Sequence, residues 1–239
     1  MLFTRAPAAE ARAKRLPVAQ GTRLFAGFLT GWQQRAASVG AELLVVTPAG
    51  SAHLLSRLLP AARVAAQSSG SFAERVEAAF ALAFDAGANS VLMVGGDCPP
   101  LDVEEIAEAF QHLASNDRAL VLTPAFDGGV NAIGFSARSE RSLAAIAWRS
   151  PDVCRQLRLY AQQCGLSLLL TSPGSDLDCA GDIGVLYRLS RSESGWSAFR
   201  WLLLAFLLAC RTTACLAEKA ISRLAGDACA TRGPPLLSV

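Results

Sequence analysis

Histidine is scarce in this chain, where only His53 and His112 occur among 239 residues. Chemistry that needs several histidines, such as a histidine-rich zinc site, is therefore nearly excluded. Lysine is equally rare, since Lys14 and Lys219 are the only two, and arginine supplies almost all of the positive charge. The formal net charge is only +2, so we expect no broad basic surface for nucleic acid.

Several other patterns are missing from the sequence. The seven cysteines are odd in number and contain no C-x-x-C pair, which disfavours a disulfide framework or a zinc cluster. We expect reduced thiols in a cytoplasmic protein. The amino-terminal segment lacks the apolar stretch of a signal peptide. No repeat with a period of roughly 20–50 residues is present, so a solenoid is not expected.

Long hydrophobic runs are also absent, because the longest, WLLLAFLLAC, has ten residues. As a helix it would cover about 15 Å, half of a bilayer core. We predict a helical extension over 191–239 with a frayed end. Two interpretations are open for 196–211: a helix packed on the domain or in a homodimer interface, or a helix in weak contact with a membrane. The second rests on Trp196, Phe199, Trp201, Phe206, Arg200 and Arg211.

Short apolar runs alternate with helical patterns over the first 190 residues, whereas 5–20 has an irregular, basic composition typical of a loop. Such alternation predicts an α/β domain with a mostly parallel sheet covered on both faces. The predicted strands are Met1–Thr4, Glu42–Thr47, Arg63–Ala66, Ser90–Val94, Ala119–Thr123, Val130–Phe135 and Ser167–Thr171. The predicted helices are 22–38, 51–59, 71–86, 102–114, 140–147, 151–164 and 180–189.

Three acidic clusters follow predicted strands, where ligands of such folds bind. Asp97 follows Gly95 and Gly96 and is placed either to hold a divalent cation or to cap a turn. The second cluster, Asp127-Gly128-Gly129, is a ligand loop or a plain hairpin turn. In the third, Asp176 and Asp178 would point to one side of an extended segment and could share a metal, or they begin a helix.

Two further segments are candidates for phosphate binding. The basic 5–20 segment carries Arg5, Arg12, Lys14 and Arg15, which suit phosphate or form a solvated surface. Ser71-Phe72-Ala73-Glu74 is a capping box that predicts a helix start directly after Gly70, with Arg75 in the first turn.

Together the motifs resemble one family. QSSGSFAERVEAAF, SVLMVGGDCPPL, LTPAFDGGVNAIGF, IAWRSPDV and DLDCAGDI occur in the order typical of a bacterial glycosyltransferase-A-like group. Its members are often labelled radical-SAM/selenodomain-associated transferases. The group is similar to phospholactate guanylyltransferases and molybdenum-cofactor nucleotidyltransferases. The resemblance covers about residues 1–190 and implies a three-layer α/β/α nucleotide-diphospho-sugar-transferase fold.

The resemblance also implies roles for individual residues. Asp97 would be catalytic and would bind Mg²⁺ or Mn²⁺, with Asp176 and Asp178 as further metal contacts. Asp127 would be catalytic and, with its two glycines and Trp148, would lie near the acceptor or sugar. The phosphate-binding set would be Arg5, Arg12, Lys14, Arg15, Gly70, Arg75, Gly95 and Gly96.

The first loop departs from the family pattern, since Ala9-Glu10 replaces a Pro-Gly pair and Lys14 stands one place late. Val130 replaces an aromatic residue.

Three functions remain open. The first is metal-dependent glycosyl transfer from a nucleotide sugar to a small-molecule acceptor. The second is nucleotidyl transfer from a nucleoside triphosphate with release of pyrophosphate. The third is non-catalytic nucleotide or partner binding.

Overall fold

The strands of the computed structural model form a single mixed sheet, within a structure that describes residues 1–189, 200 and 202–209. They are β1 (Leu2–Phe3), β2 (Leu44–Thr47), β3 (Arg63–Ala66), β4 (Ser90–Gly95), β5 (Ala119–Pro124), β6 (Val130–Ser136) and β7 (Ser167–Leu170). Their spatial order is β3-β2-β1-β4-β6-β5-β7. All described neighbours run parallel except where β6 lies antiparallel to β4 and β5. The predicted α/β class is confirmed.

Helices cover both faces of the sheet and complete a three-layer domain. They are α1 (Pro7–Ala13), α2 (Val18–Ser38), α3 (Ala52–Leu58), α4 (Phe72–Asp85), α5 (Val103–Ser115), α6 (Val153–Gln163) and α7 (Asp182–Leu189). Side chains of α4 and α6 pack on one face, and those of α2, α3 and α5 pack on the other. Both faces are buried, which explains why the central strands are mainly apolar.

The central strand β4 shows how the two cores are filled. Val91 and Met93 pack into one core, whereas Leu92 and Val94 pack into the other. Successive side chains of a strand point to opposite faces, so a continuous apolar run fits only a sheet covered on both sides. This arrangement leaves the carboxyl edge of β4, at Gly95, as the place where polar residues begin.

The prediction of an irregular loop over 5–20 is wrong. Residues 7–13 form α1, which begins with Pro7 in its first turn. Proline is well placed there because the first amide of a helix needs no partner, and the alanines that follow favour helix. Ala11 is fully buried against α2, so tertiary packing also stabilises this short helix.

The predicted helix over 140–147 also needs correction. Residues 140–147 form turns instead of a helix, and the backbone amide of Leu143 donates a hydrogen bond to Glu77 of α4. That tertiary contact fixes the segment in a non-helical path. Asp102 occupies the position before α5 but makes no side-chain cap bond, and it faces Arg35 at 3.9 Å instead. The capping box of Ser71 and Glu74 is confirmed at the start of α4.

The structure describes only a short part of the carboxyl-terminal extension. Residues 202–209 are helical, and Leu203 and Phe206 are buried against α2 and α7, so this helix packs on the domain. Trp196, Phe199, Trp201 and Arg211 lie outside the described residues. The domain boundary near residue 190, a homodimer and membrane contact through 196–211 stay predictions. Among the described helices, none has the length and hydropathy needed to cross a bilayer.

Candidate functional site

A glycine turn places Asp97 at the carboxyl edge of the sheet, between β1 and β4. A Cβ atom on Gly96 would lie 1.9 Å from the Thr4 hydroxyl oxygen, so a larger residue would push the two strands apart. The indole nitrogen of Trp32 donates a 3.0 Å hydrogen bond to the Cys98 carbonyl, which fastens the turn to α2. Burial, followed by the charge of Asp97, raises the pKa of the Cys98 thiol, so this thiol is a poor nucleophile.

The segment after β7 brings two more carboxylates to Asp97. The Leu177 amide donates a 3.1 Å hydrogen bond to the Asp97 carbonyl, and the Leu177 side chain is fully buried. Asp182 accepts hydrogen bonds from the amides of Asp178 and Cys179, at 2.9 and 2.7 Å, which fixes the path of the segment. Carboxylate oxygens of the three residues Asp97, Asp176 and Asp178 consequently lie within 4.8 Å of one another.

Burial and the close packing of these negative charges both favour the protonated form of Asp176. Burial, reinforced by the charges of Asp178 and Asp97, raises the pKa of the Asp176 carboxyl to about 6. Without a bound cation, Asp176 therefore stays protonated to a higher pH in the folded protein than in the unfolded chain. Oxygen-rich clusters of this kind are the ligand sets that Mg²⁺ and Mn²⁺ prefer, so the residues fit such an ion.

Lys14 reaches this cluster from the end of α1. Its ammonium donates a hydrogen bond of 2.6 Å to Asp97 and a second one to Asp178. Burial alone would lower the pKa of Lys14, but the charges of Asp97 and Asp178 outweigh burial and raise it. The lysine therefore stays charged at the centre of the site, at the end of a helix instead of on the irregular loop that was predicted.

Arg5 and Glu10 form an ion pair on the same side of the site. The Arg5 guanidinium contacts both carboxylate oxygens of Glu10, at 2.8 and 3.0 Å, and the Glu10 side chain is only 6% exposed. Burial, then the charge of Asp97, raises the pKa of Glu10, whereas Arg5 opposes that shift. The departure of Glu10 from the family pattern thus has a structural role, because it neutralises and orients Arg5.

The Asp127 cluster connects β5 with the antiparallel β6 and forms the opposite wall. The Asp127 carboxylate accepts a 2.8 Å hydrogen bond from the Gly129 amide. Gly128 has φ +92°, and its carbonyl accepts a 3.0 Å hydrogen bond from the Cys154 amide. The hairpin turn predicted from Asp-Gly is therefore present, and it is also fastened to the start of α6.

A cavity of about 830 Å³ joins these elements. Its lining includes most of the residues expected from the sequence, namely Arg5, Lys14, Arg75, Gly95, Gly96, Asp97, Asp127, Gly129, Trp148, Asp176 and Asp178. Four others, Gly70, Arg12, Arg15 and Gly128, are not among the residues that line it. Arg12 instead donates to the Ala8 carbonyl and is exposed, and Gly128 is covered by Pro151.

The cavity lining also includes residues that are not among the predicted site residues. Gln67 accepts a 3.2 Å hydrogen bond from Arg75 and thereby orients it. Asn131 lies inside β6, is only 7% exposed and lines the cavity. A polar residue within the apolar run VNAIGF was the available signal for Asn131. The burial of Glu10 had no comparable signal, because it depends on the path of α1.

The acidic cluster predicts a pH effect on stability. In the folded protein the pKa of Asp176 is about 6, against an ordinary value of 3.8. The contribution of this carboxyl to the free energy of unfolding is therefore fully present below about pH 4, and it is lost as the pH rises through 6. Asp176→Asn should therefore stabilise the metal-free protein near pH 7.5, on the order of 1 kcal/mol after allowing for solvent screening, and hardly at all near pH 4. Urea unfolding in the presence of a chelator measures the free energy of unfolding of both proteins at the two pH values. An equal gain at both pH values would contradict the assignment.

Comparison with known families identifies the chain. The family model described as "Uncharacterized protein conserved in bacteria (DUF2064)" matches residues 30–150. The chain belongs to this family. The matched region includes Asp97 and Asp127, whereas Lys14, Asp176 and Asp178 lie outside it. No curated protein matches the chain.

Solved structures confirm the fold. A candidate nucleotide-diphospho-sugar transferase from Desulfovibrio desulfuricans G20 is 26% identical, with a TM-score of 0.71 over 86% of this chain and 96% of that chain. A cytidylyltransferase from Leptospira borgpetersenii is 12% identical, with a TM-score of 0.51 over 87% and 92% of the two chains. CMP:2-keto-3-deoxy-manno-octonic acid synthetase, solved with CTP, is 10% identical, with a TM-score of 0.52 over 80% and 97%. The chain therefore has the nucleotide-diphospho-sugar-transferase fold.

Proposed function

We propose that this protein is a metal-dependent transferase that uses a nucleotide-activated donor, and that it transfers a glycosyl group from a nucleotide sugar. The observation that carries the proposal is the convergence of Asp97, Asp176 and Asp178 around Lys14 in one cavity. The description of the Desulfovibrio desulfuricans protein as a candidate nucleotide-diphospho-sugar transferase supports the choice of donor.

The three carboxylates are the residues that would hold Mg²⁺ or Mn²⁺. Such an ion, when bound, supplies positive charge that neutralises the diphosphate of the donor. Gly95 and Gly96 line the cavity, where their backbone would face the donor phosphates. Lys14 provides a second, permanent positive charge beside the carboxylates, and Arg75, held by Gln67, provides a third on the neighbouring wall.

Asp127 is assigned to the acceptor. It lies on the hairpin wall of the cavity, and its carboxylate is oriented by the Gly129 amide. A carboxylate in this place can take the proton that an acceptor hydroxyl loses when it attacks the sugar. Rate enhancement would come mainly from positioning the two substrates and from stabilising charge on the leaving nucleoside diphosphate.

Nucleotidyl transfer is the second candidate, and the position of Lys14 favours it. A buried ammonium that contacts two carboxylates is also placed to stabilise charge on a transferred phosphoryl group. The cytidylyltransferase fold of the Leptospira borgpetersenii protein is consistent with that chemistry. Product analysis separates the two reactions, because glycosyl transfer releases a nucleoside diphosphate and nucleotidyl transfer releases pyrophosphate.

The first experiment is a thermal-shift screen with nucleoside diphosphates, triphosphates and nucleotide sugars, each with Mg²⁺, Mn²⁺ or chelator. We expect a metal-dependent rise in Tm with a nucleotide sugar, equivalent to about 2.7 kcal/mol when the ligand exceeds its Kd a hundredfold. Nucleotides that stabilise the protein then enter the product assay. If no nucleotide stabilises the protein under any condition, the transferase proposal is wrong. Binding without any product would support the non-catalytic alternative.

A further inference from the structure

Asn131 is a buried polar residue that the site as described so far does not use. It lies in β6 at the point where the register between β5 and β6 shifts, next to Thr123 and Pro124. Its side chain packs beside Gly174, and its Oδ1 atom is buried without a hydrogen-bond partner among the described residues. The same residue lines the cavity that holds Asp97 and Asp127.

An unpaired amide oxygen in this position destabilises the folded protein. Burying a polar group without a partner is unfavourable, and an apolar side chain of similar shape would be better tolerated. The next residues of β6, Ala132 and Ile133, are buried and apolar, so the strand itself gives no reason for an amide. Buried polar groups in folded proteins nearly always have a partner, which points to a ligand that supplies one.

Trp148 provides a second, independent observation in the same cavity. Its indole Nε1 atom is also buried without a hydrogen-bond partner among the described residues. The ring is held in place by an edge contact with Phe72, whose ring centre is 5.2 Å away. Two residues that line the cavity therefore each carry a buried polar atom that the described protein groups leave unused, an acceptor in Asn131 Oδ1 and a donor in Trp148 Nε1.

We infer that Asn131 is a specificity-determining residue that selects a hydroxylated sugar ring by accepting a hydrogen bond from one of its hydroxyls. A hydroxyl both donates and accepts, so a ring with several hydroxyls pairs with Asn131 Oδ1 and Trp148 Nε1 together. Both residues share the cavity with Asp127, the group assigned to the transfer step. The inference rests on the proposed function, because the selected ring is the sugar of the nucleotide-activated donor.

The first test measures ligand-free stability. Asn131→Leu keeps a similar shape and removes the unpaired oxygen, so its Tm should equal or exceed that of the wild type. Asn116→Leu is the matched control, because the Asn116 amide donates a 2.9 Å hydrogen bond to the His112 carbonyl, outside the cavity. The control should lower Tm. A clear fall in the Tm of Asn131→Leu, or its failure to fold, would mean that the amide serves the fold, and would overturn the inference.

The second test measures sugar-dependent affinity by calorimetry with Mn²⁺. The probes are UDP, GDP and ADP, each paired with UDP-glucose, GDP-mannose or ADP-glucose. In the wild type the sugar should tighten binding for at least one pair. In Asn131→Leu and Asn131→Ala that gain should fall about five- to tenfold, as a single lost hydrogen bond predicts, while affinity for the nucleoside diphosphate stays within about twofold. Asn116→Leu should retain the full gain.

The outcomes separate this inference from the function on which it rests. Nucleoside diphosphate binding with no gain from any sugar, or with the same gain in the wild type and both Asn131 variants, would overturn the inference and leave the transferase proposal standing. Failure of every nucleoside diphosphate to bind would overturn the proposed function and the inference together.

Discussion

Replacing Asp97 with alanine is expected to weaken Mn²⁺ binding at least tenfold and to lower transferase kcat/KM about a thousandfold, or roughly 4 kcal/mol of transition-state stabilisation. The reason is that Asp97 is the member of the carboxylate cluster that is fixed from two sides, by the glycine turn of β4 and by the Leu177 amide. Its loss leaves Asp176 and Asp178, which belong to one short segment, as the remaining ligands.

The measurement is a Mn²⁺ titration of wild type and Asp97→Ala, followed by nucleotide thermal shifts. Asp117→Ala is the matched control, because Asp117 is an exposed carboxylate paired with Arg138 and does not line the cavity. The control should retain full metal affinity. Undiminished Mn²⁺ affinity in Asp97→Ala, with an unchanged metal-dependent nucleotide shift, would remove Asp97 from the metal site.

Those parts of the fold that rest on local patterns could be predicted from the sequence. β4 was predicted because its apolar run is continuous and ends at two glycines, which suits a strand buried on both faces. The start of α4 was predicted because the Ser71 and Glu74 hydrogen bonds form within four residues. The placement of Asp97 at a strand end follows from the same local signals.

The assembly of the site could not be predicted in this way, because its contacts join distant parts of the chain. Lys14 contacts Asp97 across 83 positions and Asp178 across 164. No periodicity relates such residues, and the composition of 5–20 predicted an irregular loop, which gives no direction for Lys14. Helix α1 directs Lys14 toward the carboxylates, and the same helix buries Glu10 against Arg5.

This assembly also explains how an altered first loop keeps a polar site. Arg5 is paired with Glu10, so its charge is largely neutralised within the protein. Lys14 contributes the positive charge at the centre of the cluster instead. The positive charge that contacts the carboxylate cluster is therefore that of Lys14, and donor binding should depend more on Lys14 than on Arg5.

Gly128→Ala is expected to have the largest effect on folding among single changes near the cavity. Two costs add at this position. The backbone has φ +92°, a conformation that a residue with a Cβ atom rarely adopts. The added Cβ would also lie 1.8 Å from the Pro151 carbonyl oxygen, which cannot move without shifting the start of α6. We expect a loss of about 3 kcal/mol or more in the free energy of unfolding.

Comparison with Gly87→Ala separates the steric part of that cost from the backbone strain. Gly87 has nearly the same φ, +95°, but a Cβ there would meet nothing within 4 Å. Urea unfolding should therefore show a smaller loss for Gly87→Ala, about 1–2 kcal/mol from backbone strain alone. Equal losses in the two variants would show that the hairpin and Pro151 separate easily. The Asp127 wall would then be adjustable, and the fixed cavity on which the acceptor assignment depends would have to be abandoned.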